Sequence, residues 1–284
     1  MSGADNDRQF CWEQIQRGNR LFRLTHVFAA GDVAGRLLPL YALFASLEHI
    51  CASVSDEDVA VRKLDWWRQA MRSGDGDHPV VAELRRNGAS ALMPEMAVTR
   101  LLDATQARLD MAPPRGSSEL TALCIDFGRI QLELELAVSG VTMPAGEELS
   151  GLALRSGMMQ VLRESMGRPD GRGFWWLPLD LMARYDLARA EIASGDGIGK
   201  FRMVAGEIFT TQSVGTTQYS DILKDISNNK QSVMNLIAMD ALFAKKLKHT
   251  NYSSYIKWRD ELSRAGFSDV FTARNAVRRF NRRK

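Results

Sequence analysis

Apolar residues recur every three or four positions along almost the whole chain, and alternating runs of β-branched residues are nearly absent. A period near 3.6 marks one face of a helix, whereas a half-buried strand needs a period of two. Phe10, Ile15, Leu21, Leu24 and Phe28 keep the helical spacing, and Leu37, Leu40, Tyr41, Phe44, Leu47 and Ile50 resume it after Gly31. Val61, Leu64, Trp67 and Met71 form a further apolar stripe, opened by Ser55-Asp56-Glu57-Asp58 and closed by Ser73-Gly74-Asp75-Gly76. Short polar residues followed by carboxylates are what a helix N-terminus favours. The spacing predicts more helices over 79–87, 94–111, 118–139, 147–165, 201–217, 232–248, 253–265 and 268–280. An all-α chain without a sheet follows.

With 284 residues, 45% hydrophobic and 25% charged, the chain has the composition of a globular protein, which excludes a fibrous or wholly disordered one. No linker or repeat divides it, so residues 1–284 read as one domain. The start lacks the apolar core of a signal peptide, and the longest apolar stretch, 37–47, is too short to cross a bilayer; a soluble protein is expected. Cys11, Cys51 and Cys124 are widely spaced and odd in number, which fits buried thiols rather than a disulfide framework. The four histidines show no zinc spacing. Gly195-Asp196-Gly197-Ile198-Gly199 neither follows a strand nor ends in Lys-Ser/Thr, so it reads as a hinge and not as a phosphate loop.

Charge is uneven. Residues 241–284 hold 12 Lys and Arg against 3 Asp and Glu, so the net +3 of the chain divides into +9 there and −6 elsewhere. Arg274, Arg278, Arg279, Arg282, Arg283 and Lys284 make a basic tail over about 274–284 that suits phosphate, an anionic lipid or an acidic protein, or forms the solvated end of a last helix. RNA contact is a further expectation, although only Phe280 interrupts the tail's arginines. Adjacent Trp66 and Trp67 cannot both be buried on one helix face, so one is expected in the core and the other at a groove or partner surface.

Five segments in order carry a resemblance: residues 37–44 (LLPLYALF), 61–68 (VRKLDWWR), 161–164 (VLRE), 177–180 (LPLD) and 262–267 (LSRAGF). Together they resemble the squalene/phytoene synthase family. The resemblance implies an isoprenoid synthase-type helical bundle around a central cavity. It also implies an activity: Mg²⁺-dependent coupling of two allylic diphosphates, with the metals held by two DxxxD pairs on facing helices. Carboxylates at i and i+4 share one helical face and can clamp hard cations, which neutralise the leaving diphosphate.

This chain departs from that pattern at the metal-binding positions. The first pair falls on Glu48 and Ala52, the second on Glu164 and Arg168. A glutamate adds one methylene, roughly 1.5 Å of reach, against a ligand-distance tolerance of about 0.2 Å. The missing second member of each pair is not recovered that way, and Arg168 repels a cation. By the resemblance, Tyr41, Gln160, Arg163 and Arg172 face the cavity or a phosphate. Arg155, Arg163, Arg168 and Arg172 cluster around the second motif and either bind phosphate directly or pair with Glu48 and Glu164. The pattern resembles the subgroup of the family that serves respiratory complex I assembly in mitochondria, together with its bacterial relatives. That subgroup keeps a glutamate at Glu48, Val-Ser at Val54-Ser55, and Leu-Arg at Leu162-Arg163.

The expectation is therefore a catalytically degenerate assembly or scaffold protein without a cofactor. Its expected partners are complex I subunits or assembly factors, with peripheral membrane contact. Its place would be the mitochondrial matrix or the inner-membrane periphery, or else the bacterial cytoplasm. Two alternatives stay open: an active prenyltransferase with Glu48 and Glu164 on Mg²⁺, and a non-catalytic isoprenoid or lipid binder.

Overall fold

The computed structural model describes residues 3–54, 56–73, 77–142, 149–165, 177–194, 196–212 and 267–282, with 235, 237–239, 241–242 and 245. Among these residues every regular element is a helix: α1 (Gly3–Gly18), α2 (Phe22–His26), α3 (Gly31–Ser53), α4 (Glu57–Ser73), α5 (Pro79–Arg86), α6 (Ala89–Leu92), α7 (Glu95–Asp110), α8 (Ser117–Val138), α9 (Ser150–Ser165), α10 (Leu179–Arg184), α11 (Arg189–Ser194), α12 (Ile198–Gln212) and α13 (Phe267–Arg282).

Local chemistry sets the helix ends. The Asp56 carboxylate accepts the Val59 N–H at 3.2 Å and caps α4, as the acidic run predicts. His78 Nδ1 accepts the Val80 N–H at 3.2 Å, and Pro79 fills the first position of α5, where its missing N–H costs nothing. Helix α8 closes on Gly140 at φ 73°, with Gly140 N–H donating to Ala137 O and Val141 N–H to Leu136 O, both at 2.9 Å. That paired arrangement needs a left-handed residue, which glycine adopts without strain. Pro39 lies inside α3 and removes one rung of its hydrogen-bond ladder.

The core gathers around α3. Leu37, Leu40, Leu43 and Leu47 of α3 are buried with Ile15 of α1, Leu64 of α4, Leu84 of α5, Leu101 of α7 and Leu120 of α8. Burying each such side chain contributes about 1.5–3 kcal/mol. Helix α3 packs against α1, α5, α7, α8 and α9, and α8 runs along α9. The α8–α9 approach is set by small residues. A Cβ built on Gly128 would overlap the Ala153 carbonyl, and one on Gly157 the Cys124 carbonyl.

Two boundaries differ from the sequence expectation. The spacing from Phe10 to Phe28 reads as continuous, yet the chain breaks after Gly18 and restarts as α2. The glycine-rich hinge is shorter than expected, since Ile198 and Gly199 already belong to α12. The expected helix over 253–265, most of that over 232–248 and the loop at 167–173 lie outside the described residues. All three cysteines are buried and free. Burial pushes the Cys11 thiol up to about 12 and raises that of Cys124, so both stay protonated and inert. Among the described residues, no helix is long and apolar enough to cross a membrane.

Candidate functional site

Residues 41, 45, 48 and 52 follow one another along one face of α3 at helical spacing. Tyr41 and Glu48 are both buried there, and Ala52 falls in the last turn. The Tyr41 ring stacks on Phe22 with centroids 4.1 Å apart and meets Phe44 edge-on at 5.7 Å. Its hydroxyl donates to Glu135 of α8.

Helix α8 presents Cys124, Gly128, Gln131 and Glu135 at the same three- and four-residue spacing. Gln131 Oε1 accepts the Ser156 hydroxyl of α9 at 3.1 Å, and Gln160 lies buried one turn further along α9. Glu135 is 5% exposed, and its Oε2 meets no hydrogen-bond partner among the described residues. Desolvation raises its pKa to about 8, against the opposing hydrogen bond from Tyr41. At neutral pH this carboxyl is a neutral acid.

A buried cation lies at the α3–α7 contact. Cys51 Sγ reaches Thr105 O at 3.5 Å, and Arg108, one turn further along α7, donates to Thr105 Oγ1 at 3.0 Å. The Arg108 guanidinium also sits 5.2 Å from the centre of the Phe127 ring, a cation–π arrangement.

Tyr41, Glu48 and Gln160 are all buried. Arg163 and Glu164 fall in the last turn of α9, but their side chains lie outside the described residues. Arg168 and Arg172 lie outside them altogether, so the second motif is not placed. Glu135, Gln131 and Arg108 were not singled out from the sequence. The available signal was the shared face of residues 124, 128, 131 and 135, which puts an amide and a carboxyl one turn apart on the buried side of a largely apolar helix. Among the described residues, no three His, Cys, Asp or Glu side chains gather as metal ligands.

Two surface features complete the picture. Trp67 is 4% exposed and Trp66 43%, the division expected of adjacent tryptophans, and both rings meet His78. A cleft of about 400 Å³ opens beside α4 and α7, lined among others by Met71, Arg72, Met93 and Thr99, and shares no residue with the Tyr41–Glu135 region.

Among the described residues the bundle is all-helical, with buried polar residues on α3, α8 and α9, and it shares the helical isoprenoid synthase fold. The chain belongs to the squalene/phytoene synthase family, whose sequence profile matches residues 15–211. A dehydrosqualene synthase crystallised in complex with ligand is similar over 99% of this chain and 98% of its own, with a TM-score of 0.68 and 13% identity. Squalene synthase HpnC from Alicyclobacillus acidocaldarius is similar over 97% of this chain and 95% of its own, with a TM-score of 0.54 and 13% identity. At such identity the likeness is one of fold, and chemistry has to be argued from the residues. No curated protein matches the chain by sequence.

Proposed function

We propose that this chain is a non-catalytic member of its family, working as an assembly or scaffold factor for respiratory complex I. The observation that carries the reading is the donor set. The buried face of α3 offers one carboxylate, Glu48, with Ala52 in place of a second. The carboxyl that Tyr41 meets across the interior, Glu135, lies on α8 and not on either of the two motif segments. In sequence the second motif reads Glu164 and Arg168. These donors do not fit a cluster of magnesium ions holding a diphosphate, and no resident metal is proposed. Support for complex I as the client comes from the resemblance at Glu48, Val54-Ser55, 65–68 and Leu162-Arg163. The exposed Trp66 suits a protein contact. The proposed location is the mitochondrial matrix or the inner-membrane periphery, with the bacterial cytoplasm as the counterpart in a bacterium.

Incubation of the purified protein with Mg²⁺ and farnesyl or geranylgeranyl diphosphate tests this reading. Pyrophosphate release and hydrocarbon formation should not exceed a protein-free control. In cells lacking the protein, assembled complex I should fall, and the Glu48→Gln variant should restore it. Turnover that Glu48→Gln abolishes would establish a prenyltransferase instead.

A further inference from the structure

Helix α13 is held by its inner side and exposes its outer side. Asp269 and Ala273 are buried, and Ala276 and Val277 are half-buried. Lys245 Nζ donates to Asp269 Oδ1 at 2.6 Å and to Ser268 Oγ at 2.8 Å. Asp269 is the one carboxylate in the α13 sequence, so its charge is neutralised inward.

On the opposite side Phe271, Arg274 and Arg278 follow at i, i+3 and i+7, a single face of the helix. Phe271 is 51% exposed; Val270, Arg274, Arg278 and Arg279 are exposed around it. Among the described residues, these three arginines have no ion-pair partner. Helix α2 packs against α13 and repeats the combination: Arg23 is exposed, and Val27 just beyond the helix end is 72% exposed.

We propose that the outer face of α13, with the end of α2, docks on an anionic bilayer. Exposed arginines set among exposed apolar side chains complement that surface in both respects. Guanidinium groups meet lipid phosphates while the apolar groups enter the boundary between headgroups and acyl chains. The long arginine stems lie along the apolar layer and keep their charge at the headgroups. A single-stranded nucleic acid fits less well. It needs successive aromatic platforms for its bases and gains nothing from Val270 or Val27.

The test is flotation of the full chain with vesicles of phosphatidylcholine alone or with about 30% phosphatidylserine, at low and at raised salt. The protein should float with the anionic vesicles only, and raised salt should weaken binding. The double variant Arg274→Glu/Arg278→Glu should bind at least about tenfold more weakly. Phe271→Ser should bind roughly fivefold more weakly at unchanged salt dependence. All three side chains are exposed, so circular dichroism and the unfolding midpoint should match those of the wild type. Equal retention by neutral vesicles would overturn the proposal. So would an unaltered Phe271→Ser variant whose vesicle binding RNA or another polyanion abolishes, because the surface would then read charge alone.

Discussion

Glu135 makes the sharpest demand at the scale of single residues. A carboxyl that titrates near 4.5 in the unfolded chain titrates at about 8 in the folded one, because burial disfavours its ionised form. Below about pH 4.5 both states hold the proton and the group adds no pH dependence. Between the two values only the folded state keeps it, so stability falls as pH rises, by up to about 1.4 kcal/mol per unit, and levels off above the folded value. Glu135→Gln keeps an acceptor for Tyr41 and removes the proton equilibrium. Urea unfolding at about pH 5 and about pH 8 should therefore show a smaller loss of stability in the variant than in the wild type. A wild-type profile that stays flat through this window would contradict the burial argument. The same residue shows why the site was only partly legible. Glu48 and Ala52 sit at fixed offsets from Tyr41 along a single helix, and sequence spacing alone places them. The Tyr41–Glu135 contact joins α3 to α8, and nothing local in either segment reports it.

At the scale of elements, the α8–α9 contact is the least forgiving. Gly157 faces the backbone of Cys124 directly, with no flexible side chain to yield. Gly157→Ala forces the helices apart and should destabilise the fold by about 3 kcal/mol. Gly206 lies inside α12 with nothing within 4 Å of a built Cβ. There the same change should stabilise by about 0.5–1 kcal/mol, through helix propensity and a less entropic unfolded chain. Denaturant midpoints of the two variants check both signs. Helix legibility followed length. Helices of four turns or more, such as α4, α7 and α8, show their apolar stripe in sequence. The six-residue helices α10 and α11 span under two turns, too few for a period to be counted, and were not anticipated. The break after Gly18 was hidden for another reason: Phe22 is buried across it, so the apolar spacing continues through the turn.

For the molecule as a whole, the all-α class and the family were legible because they rest on many weak signals in a fixed order, and profile and fold agree with that reading. What the interior does chemically depends on how many charges converge, and a shared architecture does not carry that information. Under the proposed function the interior lacks the carboxylates to couple magnesium to a diphosphate. Calorimetric titration of the protein with farnesyl diphosphate, in the presence and absence of Mg²⁺, measures that coupling directly. The predicted result is a change in affinity of no more than about twofold on adding the metal. Tightening of roughly a hundredfold with Mg²⁺, lost in Glu48→Gln, would contradict it.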